Sequence, residues 1–124
     1  MDEVLRANLP FAFHPTHARG GDLVEQYFDM VRRAGPAALI RQNRAVMARA
    51  DRRPRLAQVA CPTLVLCGEA DRLTPPEHSR EIAQGVPGAR LEIVPGAGHM
   101  LTMEQPARVN ALLLPWLANL NSRA

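Results

Sequence analysis

Pro62-Thr63-Leu64-Val65-Leu66-Cys67-Gly68-Glu69-Ala70-Asp71 decides how this chain is read. Thr63 to Cys67 form a short, nearly continuous apolar run, with Gly68 directly after it. Such a run, without polar alternation, predicts a strand buried on both faces, which is how a parallel strand reads. Downstream, Thr74-Pro75-Pro76-Glu77 combines a capping residue, prolines suited to a first turn and an acid at the third position. A helix is expected from there to about Gln84, broken by Gly85 and Pro87-Gly88. Arg90-Leu91-Glu92-Ile93-Val94 reads as a second strand, closed by Pro95-Gly96. Two strands joined through a helix are expected to lie parallel with a right-handed crossover. A last helix from about Gln105 completes a βαβα unit, with Val109, Leu112, Leu113, Trp116, Leu117 and Leu120 on one face. Pro115 falls inside it and is expected to kink it, because proline lacks the N–H of the helical ladder.

Each strand is followed by a short loop bearing chemistry. The first loop holds Gly68-Glu69-Ala70-Asp71 and the second Pro95-Gly96-Ala97-Gly98-His99. Sites in open α/β sheets form at the carboxyl ends of strands, so Asp71 and His99 are expected to meet there. An acid accepting from one ring nitrogen fixes the tautomer and leaves the other nitrogen as a base. Taken alone, Asp71 reads as a turn former, and His99 as a locally hydrogen-bonded residue. Their paired placement favours the chemical reading over both. Glu69 reads as a solvated neighbour. The glycines around Pro95 permit a tight turn and do not form a phosphate loop.

Upstream, residues 1–21 show no clear period, and Gly20-Gly21 breaks the chain. Asp22 reads as an N-cap with Glu25 in the capping-box position. Leu23, Val24, Tyr27, Phe28 and Val31 follow at helical spacing. Gly35-Pro36 stops this helix, and Pro36 opens a second with Leu39, Ile40, Val46 and Met47 on a shared face. The pattern changes at Pro54, which divides the chain into a helical segment, 1–53, and the βαβα unit, 54–124. His14-Pro15-Thr16-His17 carries two histidines three apart. Pro15 argues against a helix there and no third ligand is evident, so no metal site is expected.

Bulk properties narrow the function class. The chain has 124 residues and is 47% hydrophobic, in the range of a soluble globular domain. No apolar stretch is long enough for a membrane span, and the acidic Met1-Asp2-Glu3 does not begin a secretory signal. A cytoplasmic protein is the expectation. The net charge is +3, and all fifteen basic residues are arginine. With only 4% aromatic residues to stack on bases, the basic excess reads as a solvated face and not a nucleic-acid surface. Cys61 and Cys67 flank the first strand roughly 20 Å apart, beyond disulfide reach, and read as small buried hydrophobes.

The segment Pro62–Asp71 resembles the strand-and-acid segment of α/β-hydrolases. Ile93-Val94-Pro95-Gly96-Ala97-Gly98-His99 is similar to that family's histidine loop, and Glu104-Gln105-Pro106 to the usual start of its last helix. The resemblance implies Asp71 as triad acid, His99 as general base, no metal or organic cofactor, and residues 22–53 as cap helices over the pocket. The fold class is then α/β: a partial α/β-hydrolase fold with two helical cap elements followed by the βαβα unit.

The family's Gly-x-Ser-x-Gly nucleophile elbow has no counterpart here. The serines are Ser79, within a predicted helix, and Ser122, near the end. The resemblance therefore implies the C-terminal part of a hydrolase for small esters, lactones or related carbonyl compounds, completed by a nucleophile-bearing chain. An aspartate nucleophile would shift the reaction to dehalogenation or epoxide opening. The alternative is a catalytically inactive, hydrolase-derived interaction module. Either way, a homo-oligomer or a complementing chain is expected, and the small-molecule substrate only in the completed form.

Overall fold

The protein is described by a computed structural model covering residues 2–121. Ser122 and Met1 lie outside the described residues. Two strands, β1 (Leu64–Gly68) and β2 (Arg90–Val94), pair in parallel with Leu64 opposite Arg90 and Gly68 opposite Val94. The helix α3 (Pro76–Gly85) connects them and packs on both. β1 begins and ends one residue later than the sequence predicts, although the Thr63 carbonyl still accepts the Arg90 N–H at 3.0 Å.

The buried character of β1 is only partly realised. Cys67 and Gly68 are buried, whereas Leu64, Val65 and Leu66 are half-buried. Two strands and the helices beside them do not cover both faces of a sheet. Cys61 lies outside the strand and is exposed, correcting its expected burial, while Cys67 is buried; both are free thiols. The single turn α4 (Leu101–Glu104) precedes the final helix, α5 (Pro106–Asn121). α5 runs on through Pro115 as one helix. Pro115 is exposed, so water can satisfy the carbonyl it leaves without a partner. Val94, Ala97, Leu101 and Val109 form a small core here, with Leu66 and Leu112 packed against it.

The N-terminal half differs most from the reading. Residues Asp2–Ala12 form α1, where no periodic element was expected. Its buried face is Leu5, Leu9 and Ala12, a narrow i, i+4, i+7 stripe obscured by the exposed apolar Val4 and Phe11. Pro10 sits inside the helix. Next, α2 spans Asp22–Met47 and breaks at Gly35, whose φ of 74° and ψ of 161° belong to glycine alone. That break is the division the sequence places at Gly35-Pro36. Gly21, not Asp22, occupies the N-cap position, and no side chain caps this end.

Phe13, Val24, Phe28 and Val31 join the α1 stripe in a second core. The first half of α2 therefore follows the predicted face. Past the break only Leu39 packs against this core, and Ile40, Val46 and Met47 are exposed. Met100, next to His99, packs against the N-terminal core and links the two halves.

Candidate active site

Asp71 lies just beyond β1, in a turn that presents donors to both of its oxygens. Oδ1 accepts the backbone N–H groups of Leu73 and Thr74, each at 2.9 Å. Oδ2 accepts the Thr74 hydroxyl at 3.0 Å and lies 3.0 Å from His99 Nδ1. The side chain is only 7% exposed. Burial pushes the carboxyl pKa up, but the Thr74 amide, the His99 ring and the Thr74 hydroxyl outweigh it and hold Asp71 below the ordinary aspartate value. Thr74 was expected to cap α3. Pro75 takes the cap position instead, and the Thr74 hydroxyl turns toward Asp71. The short turn brings that hydroxyl within hydrogen-bonding distance of the buried acid, and no side chain caps the helix.

His99 approaches from the second loop. The Ala97 carbonyl accepts the Ala70 N–H at 2.9 Å, tying the acid loop to the histidine loop. The loops meet so closely that a Cβ at Gly68 would fall on the carbonyls of Ala97 and Gly98. Only a glycine leaves that space at the end of β1. With Nδ1 directed to Asp71, Nε2 has no protein partner among the described residues, and the ring is 38% exposed. The site therefore holds a part-exposed imidazole oriented by an acid whose pKa is lowered, with its second nitrogen unpartnered among the described residues. Such a pair can take a proton from a nucleophile and stabilise the imidazolium that results.

The other residues singled out in the sequence fall elsewhere. Glu69 is exposed, and its amide is bonded to the Val94 carbonyl. Ser79 lies in α3 and makes no bond to His99. His14 and His17 meet at Glu104. The Glu104 Oε2 accepts the His14 N–H at 2.7 Å and lies 2.9 Å from His17 Nδ1, while Oε1 accepts the Gly98 N–H at 2.7 Å. Among the described residues, no three His, Cys, Asp or Glu side chains are grouped to hold a metal. Glu104 and Thr74 are the site-supporting residues that sequence reasoning missed. Thr74 carried a signal, since a Thr three residues after an Asp can close a turn onto it. Glu104, 90 residues from His14, carried none beyond its place in the family-like segment.

The fold and this loop pair define an α/β-hydrolase arrangement, and comparison with known proteins agrees. Residues 2–112 match the model of the alpha/beta hydrolase family. The chain belongs to that family. It is 36% identical over 66 residues to 2-hydroxy-6-oxo-6-phenylhexa-2,4-dienoate hydrolase of Burkholderia cepacia, covering 53% of this chain and 23% of that protein. It is 35% identical over 66 residues to 2-hydroxy-6-oxononadienedioate/2-hydroxy-6-oxononatrienedioate hydrolase of Comamonas testosteroni, again covering 53% of this chain and 23% of the other. Among solved structures, a thermophilic esterase from Thermogutta terrifontis superposes with a TM-score of 0.87 at 29% identity, over 94% of this chain and 43% of that one. The chain thus spans less than half the length of these relatives. No helix among the described residues is long and apolar enough to cross a membrane.

Proposed function

We propose that this chain is the C-terminal part of an α/β-hydrolase acting on a small ester, lactone or related carbonyl substrate. Asp71 is its triad acid, His99 its general base, and the nucleophile comes from a segment outside this sequence. The observation that carries the reading is the 3.0 Å contact between His99 Nδ1 and Asp71 Oδ2, at the carboxyl ends of two parallel strands, on a ring that is 38% exposed. In the completed site, Nε2 accepts the nucleophile's proton as the substrate carbonyl is attacked and returns it to the leaving group. Residues 1–53 form the cap segment and 54–124 the C-terminal part of the core.

The same reading assigns a partner. β1 pairs only with β2 among the described residues, so its other edge presents unpaired N–H and C=O groups. A strand from a nucleophile-bearing segment is the natural neighbour for that edge. The test is co-expression with a hydrolase segment carrying the Gly-x-Ser-x-Gly elbow. Co-purification and saturable hydrolysis of p-nitrophenyl acetate are expected, with His99→Ala lowering kcat on the order of 10³-fold or more. Turnover indifferent to His99→Ala and Asp71→Asn would sink the proposal. Stable pairing with no turnover would favour the interaction-module alternative.

A further inference from the structure

Glu104 is the most thoroughly buried ionisable side chain outside the acid–histidine pair, with no exposed side-chain surface. It stands at the end of α4, five residues past His99, and points back into the turn that carries His99. A carboxylate removed from water requires donors, and three surround it. They are the Gly98 N–H at 2.7 Å, the His14 N–H at 2.7 Å and His17 Nδ1 at 2.9 Å. Each carboxylate oxygen takes one backbone N–H, and His17 Nδ1 shares Oε2 with the His14 N–H.

The arrangement brackets His99. On its N-terminal side the Gly98 amide is held by Glu104. On its C-terminal side the Met100 N–H donates to the Ala12 carbonyl at 2.8 Å. One anchor leads to the last residue of α1 and the other to the turn that follows it. The two turns are pressed together there, since a Cβ on Gly98 would lie 2.6 Å from the His14 nitrogen and the Phe13 carbonyl carbon.

We propose that Glu104 is a positioning residue for His99, clamping the histidine loop to the His14–His17 turn so that the imidazole keeps Nδ1 on Asp71. The proposal rests on the reading of His99 as the base paired with Asp71. It makes the segment after α1 part of the scaffold of the base, with His17 as the outer arm of the clamp. Removing the carboxylate leaves two backbone donors competing for one acceptor at best. A glutamine there can accept on its oxygen, but its amide nitrogen faces the second N–H.

The ¹⁵N-labelled chain tests this through the tautomer of neutral His99, read from two-bond imidazole correlation spectra. The wild-type ring is expected as the Nδ1–H form. Glu104→Gln is expected to shift the population toward Nε2–H, the form preferred by a free side chain. Val86→Ala, a buried truncation with no bond to this turn, is expected to lower Tm and leave the tautomer alone. An unchanged tautomer in Glu104→Gln overturns the proposal, as does an equal shift in Val86→Ala.

Asp71→Asn separates the two levels. If it leaves the ring as Nδ1–H, the acid–histidine reading fails. If it shifts the ring while Glu104→Gln does not, only the role of Glu104 fails. Should Glu104→Gln not fold, His17→Ala decides. A smaller shift in the same direction, rescued by His17→Asn with its N–H near the Nδ1 position, supports the clamp, and no shift overturns it.

Discussion

Asp71 shows how one residue's setting converts a turn-forming acid into a chemical group. Two amides, a hydroxyl and an imidazole converge on a carboxylate with 7% exposure. Its folded pKa lies below its ordinary value, so the folded state binds a proton at Asp71 less readily than the unfolded chain does. The stability it contributes is present above the unfolded value and is lost as pH falls through the folded one. Asp71→Asn is therefore expected to destabilise the protein on the order of 1–3 kcal/mol near neutral pH. That difference should hold down to about pH 5 and narrow only below it, as the unfolded-state aspartate and then the folded one take up a proton. Urea unfolding of both proteins across that range measures it, and a pH-independent difference would contradict the ionised, donor-held acid. Asp71 and His99 were legible because each follows a readable strand and their loops had to lie side by side. Glu104 was not, because two of its three bonds run to the backbone and ring of residues 87 to 90 positions away, and its bond to the Gly98 N–H follows no sequence period.

Among the elements, those with a single strong pattern were readable. The second strand falls on the residues its apolar run marks, and Gly35-Pro36 divides the long helix where a positive-φ glycine is required. α1 was missed because Leu5, Leu9 and Ala12 form a one-residue-wide stripe, while Val4 and Phe11 place apolar side chains on the outside. α5 continues past Pro115, because a proline on an exposed face costs one hydrogen bond without having to end the helix. The histidine loop itself depends on spacing that no period reports. Gly98→Ala would drive a Cβ into the backbone of Phe13 and His14, and neither backbone can yield as a flexible side chain does. A loss of roughly 1–3 kcal/mol in unfolding free energy is expected. Wild-type stability in this variant, measured by denaturant titration, would show that the two turns are not pressed together.

At the scale of the whole molecule, the chain resembles a complete domain in its motifs more than in its coverage. Its described residues form two small cores joined near Met100 and a sheet of two strands, a size that is marginal on its own. Ile40, Val46, Met47, Leu114 and Leu117 remain exposed, although the sequence placed most of them on apolar faces. Among the described residues these side chains are left exposed, in a chain that spans 43% of the esterase it resembles. The order of strands, helix and loops could be read because local patterns specify it; which apolar faces are covered depends on tertiary packing that no local pattern reports. The central claim is that this chain supplies the acid and the base of a hydrolase but not its nucleophile. Stopped-flow mixing of the isolated chain with p-nitrophenyl acetate tests that claim most directly. The expected result is slow, unsaturated release of nitrophenol without an initial phase. A burst stoichiometric with the chain, leaving an acyl group attached and vanishing in His99→Ala, would mean that the nucleophile is already present.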